Sequence, residues 1–173
     1  MATLIDNPQY VGIDPGLDGA VCFLRQNDVR CEIVPTMQKE KGSSKRLYDV
    51  KGMVDLLVGV ENIALVALEK GSARPGQGTV SMFRFGFGCG LWEGILAALR
   101  LPYIIVHPKT WQKTVCAGLS GDTKARALQA VNSRLPKLDL RKSERSKKPH
   151  QGMADAVCLA LFARKSVLGE SQK

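Results

Sequence analysis

The chain has 173 residues, 45% apolar and 24% charged, the composition of an ordinary globular domain with a real core, and no apolar run approaches the roughly 20 residues that cross a bilayer. Its 25 Lys and Arg against 16 Asp and Glu leave a formal charge of +9, which suits a polyanionic partner, nucleic acid foremost. Five cysteines without a C-x-x-C pair signal neither a zinc ribbon nor a disulfide framework. Cys22 and Cys158, in apolar stretches, are therefore expected as small buried hydrophobes in a reducing compartment.

Residues 1–10 include Asp6 and lack both a basic start and an apolar stretch, so no secretory signal is expected and a cytoplasmic location is the default. Residues 9–14 read as a strand, 15–18 as a turn carrying Gly16, and 19–24 as a second strand running back. Residues 29–35 add a third extended stretch, and 38–46 read as a polar, lysine-rich loop. Leu47, Val50, Val54, Leu57 and Val58 have helical spacing, which predicts a helix over 47–60, followed by a buried strand ending at Glu69. Between residues 71 and 90, six glycines mix with Met82, Phe83, Phe85 and Phe87, and the glycines argue against helix there. A helix over 91–99 and a strand over 103–106 follow. Pro108 opens a short helix reaching Val115. Asp122 or Thr123 caps another, which Pro136 ends. The last helix covers about 151–168. Three early strands in a meander, then strands separated by helices, predict one α/β domain over 1–173 with a mixed sheet.

Three acids stand at places where chemistry is possible. Asp14 ends the first strand in Val-Gly-Ile-Asp-Pro-Gly, Glu69 ends the later buried strand, and Asp155 lies early in the apolar last helix. Taken singly, each has a structural reading: a turn-forming aspartate, a glutamate emerging into solvent, a partner of the helix dipole. Their conjunction points to converging carboxylates, which suit Mg²⁺ because that ion prefers hard oxygen ligands, and paired ions can drive phosphodiester hydrolysis. Basic residues accompany them. Lys137, Arg141, Lys142, Arg145, Lys147 and Lys148 face only Asp139 and Glu144 in a short stretch before His150, expected to be a positive, mobile segment that contacts DNA. Lys109, Lys113 and Lys124 are further candidates for phosphate contact, with Lys113 a candidate for stabilising developing charge. Phe83 and Phe85 are placed to stack on bases or, equally, to pack in the core.

Four short motifs in order carry a resemblance: Gly-Ile-Asp-Pro-Gly at 12–16, Leu-Glu-Lys at 68–70, Pro-Gly-Gln-Gly at 75–78 with Phe-Gly-Phe-Gly at 85–88, and Gly-Met-Ala-Asp-Ala at 152–156. From about residue 11 to 163 the chain resembles the RuvC-type Holliday junction resolvases, of phage or organellar flavour. The resemblance implies an RNase H-like fold with a five-stranded mixed sheet flanked by helices, and a homodimer that nicks opposed strands of a four-way DNA junction. It further implies Mg²⁺ as cofactor, with Mn²⁺ substituting, and neither a nucleotide cofactor nor a membrane. Asp14, Glu69 and Asp155 carry over as metal-binding and catalytic carboxylates, and the glycine-aromatic segment, with Arg74 and Gln77, as the region that approaches the junction. One departure is notable. The family has a further acid, or in some members a histidine, shortly before the last aspartate, where this chain offers His150 and Gln151. A catalytically inactive junction-binding protein is the alternative that this leaves open.

Overall fold

The computed structural model describes residues 6–26, 28–71, 76 and 78–169. Arg74 and Gln77 lie outside the described residues. The elements run β1 (Gln9–Ile13), β2 (Ala20–Arg25), β3 (Asp28–Ile33), β4 (Thr36–Gln38), β5 (Arg46–Tyr48), α1 (Val50–Asp55), β6 (Ile63–Glu69), α2 (Thr79–Ala98), β7 (Tyr103–Val106), α3 (Pro108–Val115), α4 (Thr123–Arg134) and α5 (Gln151–Leu168). The main sheet has the order β3-β2-β1-β6-β7. The first three strands are an antiparallel meander, and β6 and β7 add in parallel to β1. The parallel steps are spanned by α1 and α2, as crossovers between parallel strands require.

Two apolar layers sandwich this sheet. Tyr10, Cys22, Leu24 and Ala67 join α3, α4 and α5 on one face. Val11, Ile13, Val21, Val66 and Leu68 join Trp92 and Leu96 of α2 and Met53 of α1 on the other. Alternate residues of one strand therefore feed two cores, which explains why β1, β2 and β6 read as nearly unbroken apolar runs. The helix α5 lies unusually close to β1. A Cβ at Gly12 would overlap the Ala156 carbonyl and come within 2.8 Å of Leu159 Cβ, and one at Gly152 would lie 2.8 Å from Gly19 Cα.

Several expectations need correction. The helix expected over 47–60 is only Val50–Asp55, because Asp49 caps it by accepting from Gly52 N at 3.0 Å. Residues 38–48, expected as loop and helix start, instead belong to the β4–β5 hairpin of residues 36–48. The glycine-aromatic stretch is helical from Thr79 onward, within one 20-residue helix. Its glycines cost up to about 1 kcal/mol each relative to alanine. Burial of Trp92, Ile95 and Leu96 offsets this. Gly88 has a positive reason to be there, since a Cβ would collide with the Tyr48 side chain.

Cys22 faces Cys31 across the β2–β3 ladder, and the two form a disulfide. The expectation of a free Cys22 is thereby overturned, because cross-strand register opposes residues that sequence spacing does not pair. Cys89, Cys116 and Cys158 are free thiols. The basic segment expected to be mobile, residues 137–148, is closed into a loop from Leu140 onward: Arg141 bridges Pro149, and His150 N donates to Leu140 O at 2.7 Å. Among the described residues no helix is long and apolar enough to cross a membrane.

Gly12→Ala should lower stability by about 1–3 kcal/mol, the usual cost of overpacking, measured by urea or thermal unfolding. A variant as stable as the parent would mean that α5 has room to retreat from β1.

Candidate active site at the carboxyl edge of the sheet

β1 and β6 run parallel with Gly12 opposite Ala67 and Ile13 opposite Leu68. The next residues, Asp14 and Glu69, therefore come level at the carboxyl edge, on strands about 4.8 Å apart. Gly12 faces α5, and Ala67 packs in the core on that side. Strand alternation then turns Asp14 and Glu69, two residues further on, to the α5 side as well. Glu69, 8% exposed, is the one charged side chain buried among the described residues. Burying a carboxylate is costly unless something engages it.

Neighbouring groups sense both acids. The Cys89 thiol is pushed up to about 11, chiefly by burial, with the charges of Glu69 and then Asp14 adding to it. Burial likewise pushes Tyr48 up to about 12, with Cys89, Asp14 and Asp18 contributing. Asp14 Oδ1 accepts from Gly16 N at 3.3 Å, which holds the turn after β1. Asp14, Asp18 and Glu69 thus crowd the sheet edge of an otherwise basic molecule.

Asp155 enters from α5, half-buried, in the helix whose start is tied down by Gly152. Its charge reaches Cys116 at the end of α3, whose thiol is lowered chiefly by its hydrogen bond with Cys158. The two residues offered for the absent fourth acid have other partners. Gln151 Nε2 donates to Asp155 Oδ1 at 3.0 Å, and His150 Nδ1 accepts from Met153 N at 3.3 Å as the α5 cap. The donor set of Asp14, Glu69 and Asp155 is of the hard, oxygen-only kind that suits Mg²⁺. Among the described residues, no three His, Cys, Asp or Glu groups are gathered tightly enough for one ion as they stand.

Two hollows flank this edge, of about 710 Å³ over Asp14 and about 430 Å³ over Glu69. Phe85 lines both, whereas Phe83 is 73% exposed and stacks on Phe87, ring centroids 6.3 Å apart. The two phenylalanines grouped by sequence are thus separated by the helix turn. Arg46, Tyr48, Ser81 and Arg84 also line the hollow over Asp14. Sequence reasoning missed them, because they come from a hairpin and a helix start that it did not find. Arg46 Nη2 holds Asp18 at 2.7 Å, and the Tyr48 hydroxyl donates toward Pro15 O (3.1 Å) and Arg84 O (3.2 Å).

The basic candidates lie further out. Lys109 and Lys113 are exposed on α3, Lys124 is exposed at the start of α4, and none of them lines either hollow. Arg141, Lys142, Arg145, Lys147 and Lys148 are exposed on the closed loop before α5. Arg141 is engaged by Asp139 through contacts of 2.7–3.0 Å, and these hold the Asp139 carboxyl down to about 2.

No family model matches the sequence, and no curated protein matches it. Solved structures do match. T. thermophilus RuvC in complex with a Holliday junction substrate superposes with a TM-score of 0.62 at 18% identity, covering 94% of this chain and 96% of that one. A second T. thermophilus RuvC structure gives 0.55 at 15%, covering 92% and 95%. The yeast mitochondrial Holliday junction resolvase Ydc2 gives 0.54 at 18%, covering 92% of this chain and 78% of that one. At these identities the likeness establishes the fold: the chain has a RuvC-like, RNase H-like fold with a five-stranded mixed sheet.

His150→Ala should lower stability by about 1 kcal/mol through loss of the α5 cap, and His150→Asn should restore most of it, read by thermal unfolding without added metal. Equal melting of all three proteins would remove His150 from the capping role.

Proposed function

We propose that the protein is a metal-dependent, structure-selective endonuclease acting as a homodimer on four-way DNA junctions, with residues 1–173 as a single nuclease domain. The observation that carries this reading is the parallel register that levels Asp14 with Glu69 at the carboxyl edge of a sheet whose β1 packs closely on α5, the helix of Asp155. Asp14, Glu69 and Asp155 would hold Mg²⁺ or Mn²⁺. A bound ion of this kind supplies an activated water and offsets charge on the leaving oxygen.

The chain's own residues do the rest. Gln151 orients Asp155 by donating to one of its oxygens. Phe85 lines the hollows over both strand ends. Lys142, Arg145, Lys147 and Lys148, together with Lys109, Lys113 and Lys124, attract the phosphate backbone around the acidic edge. The outer face of α2 suits a second copy of the chain. Phe83 and Phe87 are exposed there, and Gly86, Gly90 and Gly94 leave open space for a close approach.

A second reading is a junction-binding protein without cleavage, favoured by the engagement of Asp155 with Gln151 and by the absence, among the described residues, of a tight cluster of three donors. One experiment separates them: purified protein with a synthetic four-way junction, a duplex and a single strand, with and without Mg²⁺ or Mn²⁺. Paired, metal-dependent nicks confined to the junction are expected. Binding without nicks under every condition would select the second reading.

Asp14→Asn, Glu69→Gln and Asp155→Asn should each abolish cutting while junction binding persists in a gel-shift assay. Near-normal cutting by any one would remove that residue from the site. Gln151→Glu should lower the Mg²⁺ concentration for half-maximal cleavage by adding a charged ligand beside Asp155. If His150→Ala alone shifts the metal dependence, the fourth position belongs to His150.

Neutralising Lys142, Arg145, Lys147 and Lys148 together should reduce the slope of log affinity against log salt by up to about 3.6, at roughly 0.9 per phosphate contact. Adding Arg141→Ala should change it little, because Asp139 already pairs that charge. An unchanged slope in the quadruple variant would make the loop a bystander.

A further inference from the structure

A second, two-stranded sheet stands apart from the main one. Its ladder pairs Thr36 with Tyr48, Met37 with Leu47 and Gln38 with Arg46, and it extends one step where Lys39 N donates to Lys45 O at 2.9 Å. The tip is closed by Ser43 N donating to Glu40 O at 2.9 Å and by Lys45 N donating to Ser43 Oγ at 3.1 Å. At the base, Tyr48 hydrogen-bonds Pro15 O, and Arg46 bonds Leu17 O and Asp18. The ribbon is thus anchored to the turn that carries Asp14 out of β1.

What it carries outward serves neither core nor cleft. Met37 and Leu47, directly opposite each other, are 49% and 45% exposed. Alternation places them on the face away from Arg46 and Tyr48. Lys39, Lys41 and Lys45 are all exposed around the tip, with Glu40 the single acid among residues 36–48. Three outward cations flanking an apolar pair, on a ribbon rooted beside the candidate site, form a surface complementary to a grooved polyanion.

We propose that the β4–β5 ribbon binds duplex DNA, lying in the groove of the arm that leaves the active site. Lys39, Lys41 and Lys45 contact backbone phosphates, and the Met37–Leu47 pair packs against the apolar surface of the base edges. The major groove, about 12 Å wide, admits a two-stranded ribbon, and thymine methyl groups supply apolar contact there. The inference rests on the junction-nuclease reading and adds a second DNA contact, distinct from the loop before α5.

The test is equilibrium binding of the full chain, in EDTA, to a four-way junction and to a duplex of one arm's length, across a range of salt. Lys39→Ala, Lys41→Ala and Lys45→Ala together should reduce the salt slope by about 2.7 on both DNAs, at roughly 0.9 per contact. Glu40→Lys should raise it by about 0.9, a gain that a misfolded variant cannot mimic. Met37→Ser with Leu47→Ser should weaken duplex binding and leave the slope unchanged. Unchanged slopes in both charge variants would overturn the proposal. So would a shift in self-association, measured by sedimentation, without a change in DNA binding, which would make the ribbon a contact between copies. If the parent chain bound no DNA at all, the nuclease reading would fall with it. Normal parent binding with unaffected ribbon variants would strike down the ribbon alone.

Discussion

The absent side chain at Gly12 governs how closely α5 approaches the sheet, and the candidate site depends on that distance. Gly152 and Gly19 repeat the arrangement one turn away, so that the start of α5 rests on the backbone of β1 and of the β1–β2 turn. Close packing of this kind is stiff, because interiors at near-crystalline density cannot yield by an ångström without loss elsewhere. Asp155, next to the Ala156 that faces Gly12, therefore stands on a rigid support, while Asp14 and Glu69 are delivered by hydrogen-bonded neighbouring strands. A constellation of side chains held by a helix and two strands is better defined than one held by loops.

Charge is arranged in opposition around this frame. The molecule carries +9 overall, yet acids gather at the sheet edge, where their charges add to the burial that pushes Cys89 and Tyr48 upward. An acidic centre within a basic surround repels a polyanion locally unless a cation lies between them, while the periphery draws the polyanion in. Arg46 and Asp18 neutralise each other at the rim, as do Arg141 and Asp139, so fewer cations are available to a ligand than the sequence count suggests.

Glycine plays two different parts here. In α2 most of the glycines leave open space on the outer side and make that face flat, whereas Gly88 admits Tyr48 and so couples the helix to the hairpin. A sequence rule that treats glycine as a helix breaker registers its backbone entropy alone. It is blind to the contacts that a missing Cβ permits, and the helix expected over 91–99 in fact starts back at Thr79, inside the stretch where the rule argued against one.

Much of this protein was legible from its sequence alone. The meander, the later buried strands, the Pro108 and Asp122 helix starts and the span of α5 all followed from local periodicity and capping chemistry, which act within a few residues. The three acids stood out because each ends or begins an apolar element. Tertiary structure decided what depends on partners distant in sequence. Register across β2 and β3 opposed Cys22 to Cys31, helix packing made the glycine-rich stretch helical, and the hairpin brought Arg46 and Tyr48 to Asp14. The engagement of Gln151 with Asp155 and the capping by His150 were equally hidden, although their partners lie three or four residues away. Spacing shows which side chains can meet, but whether they do depends on the rotamers that the surrounding core allows.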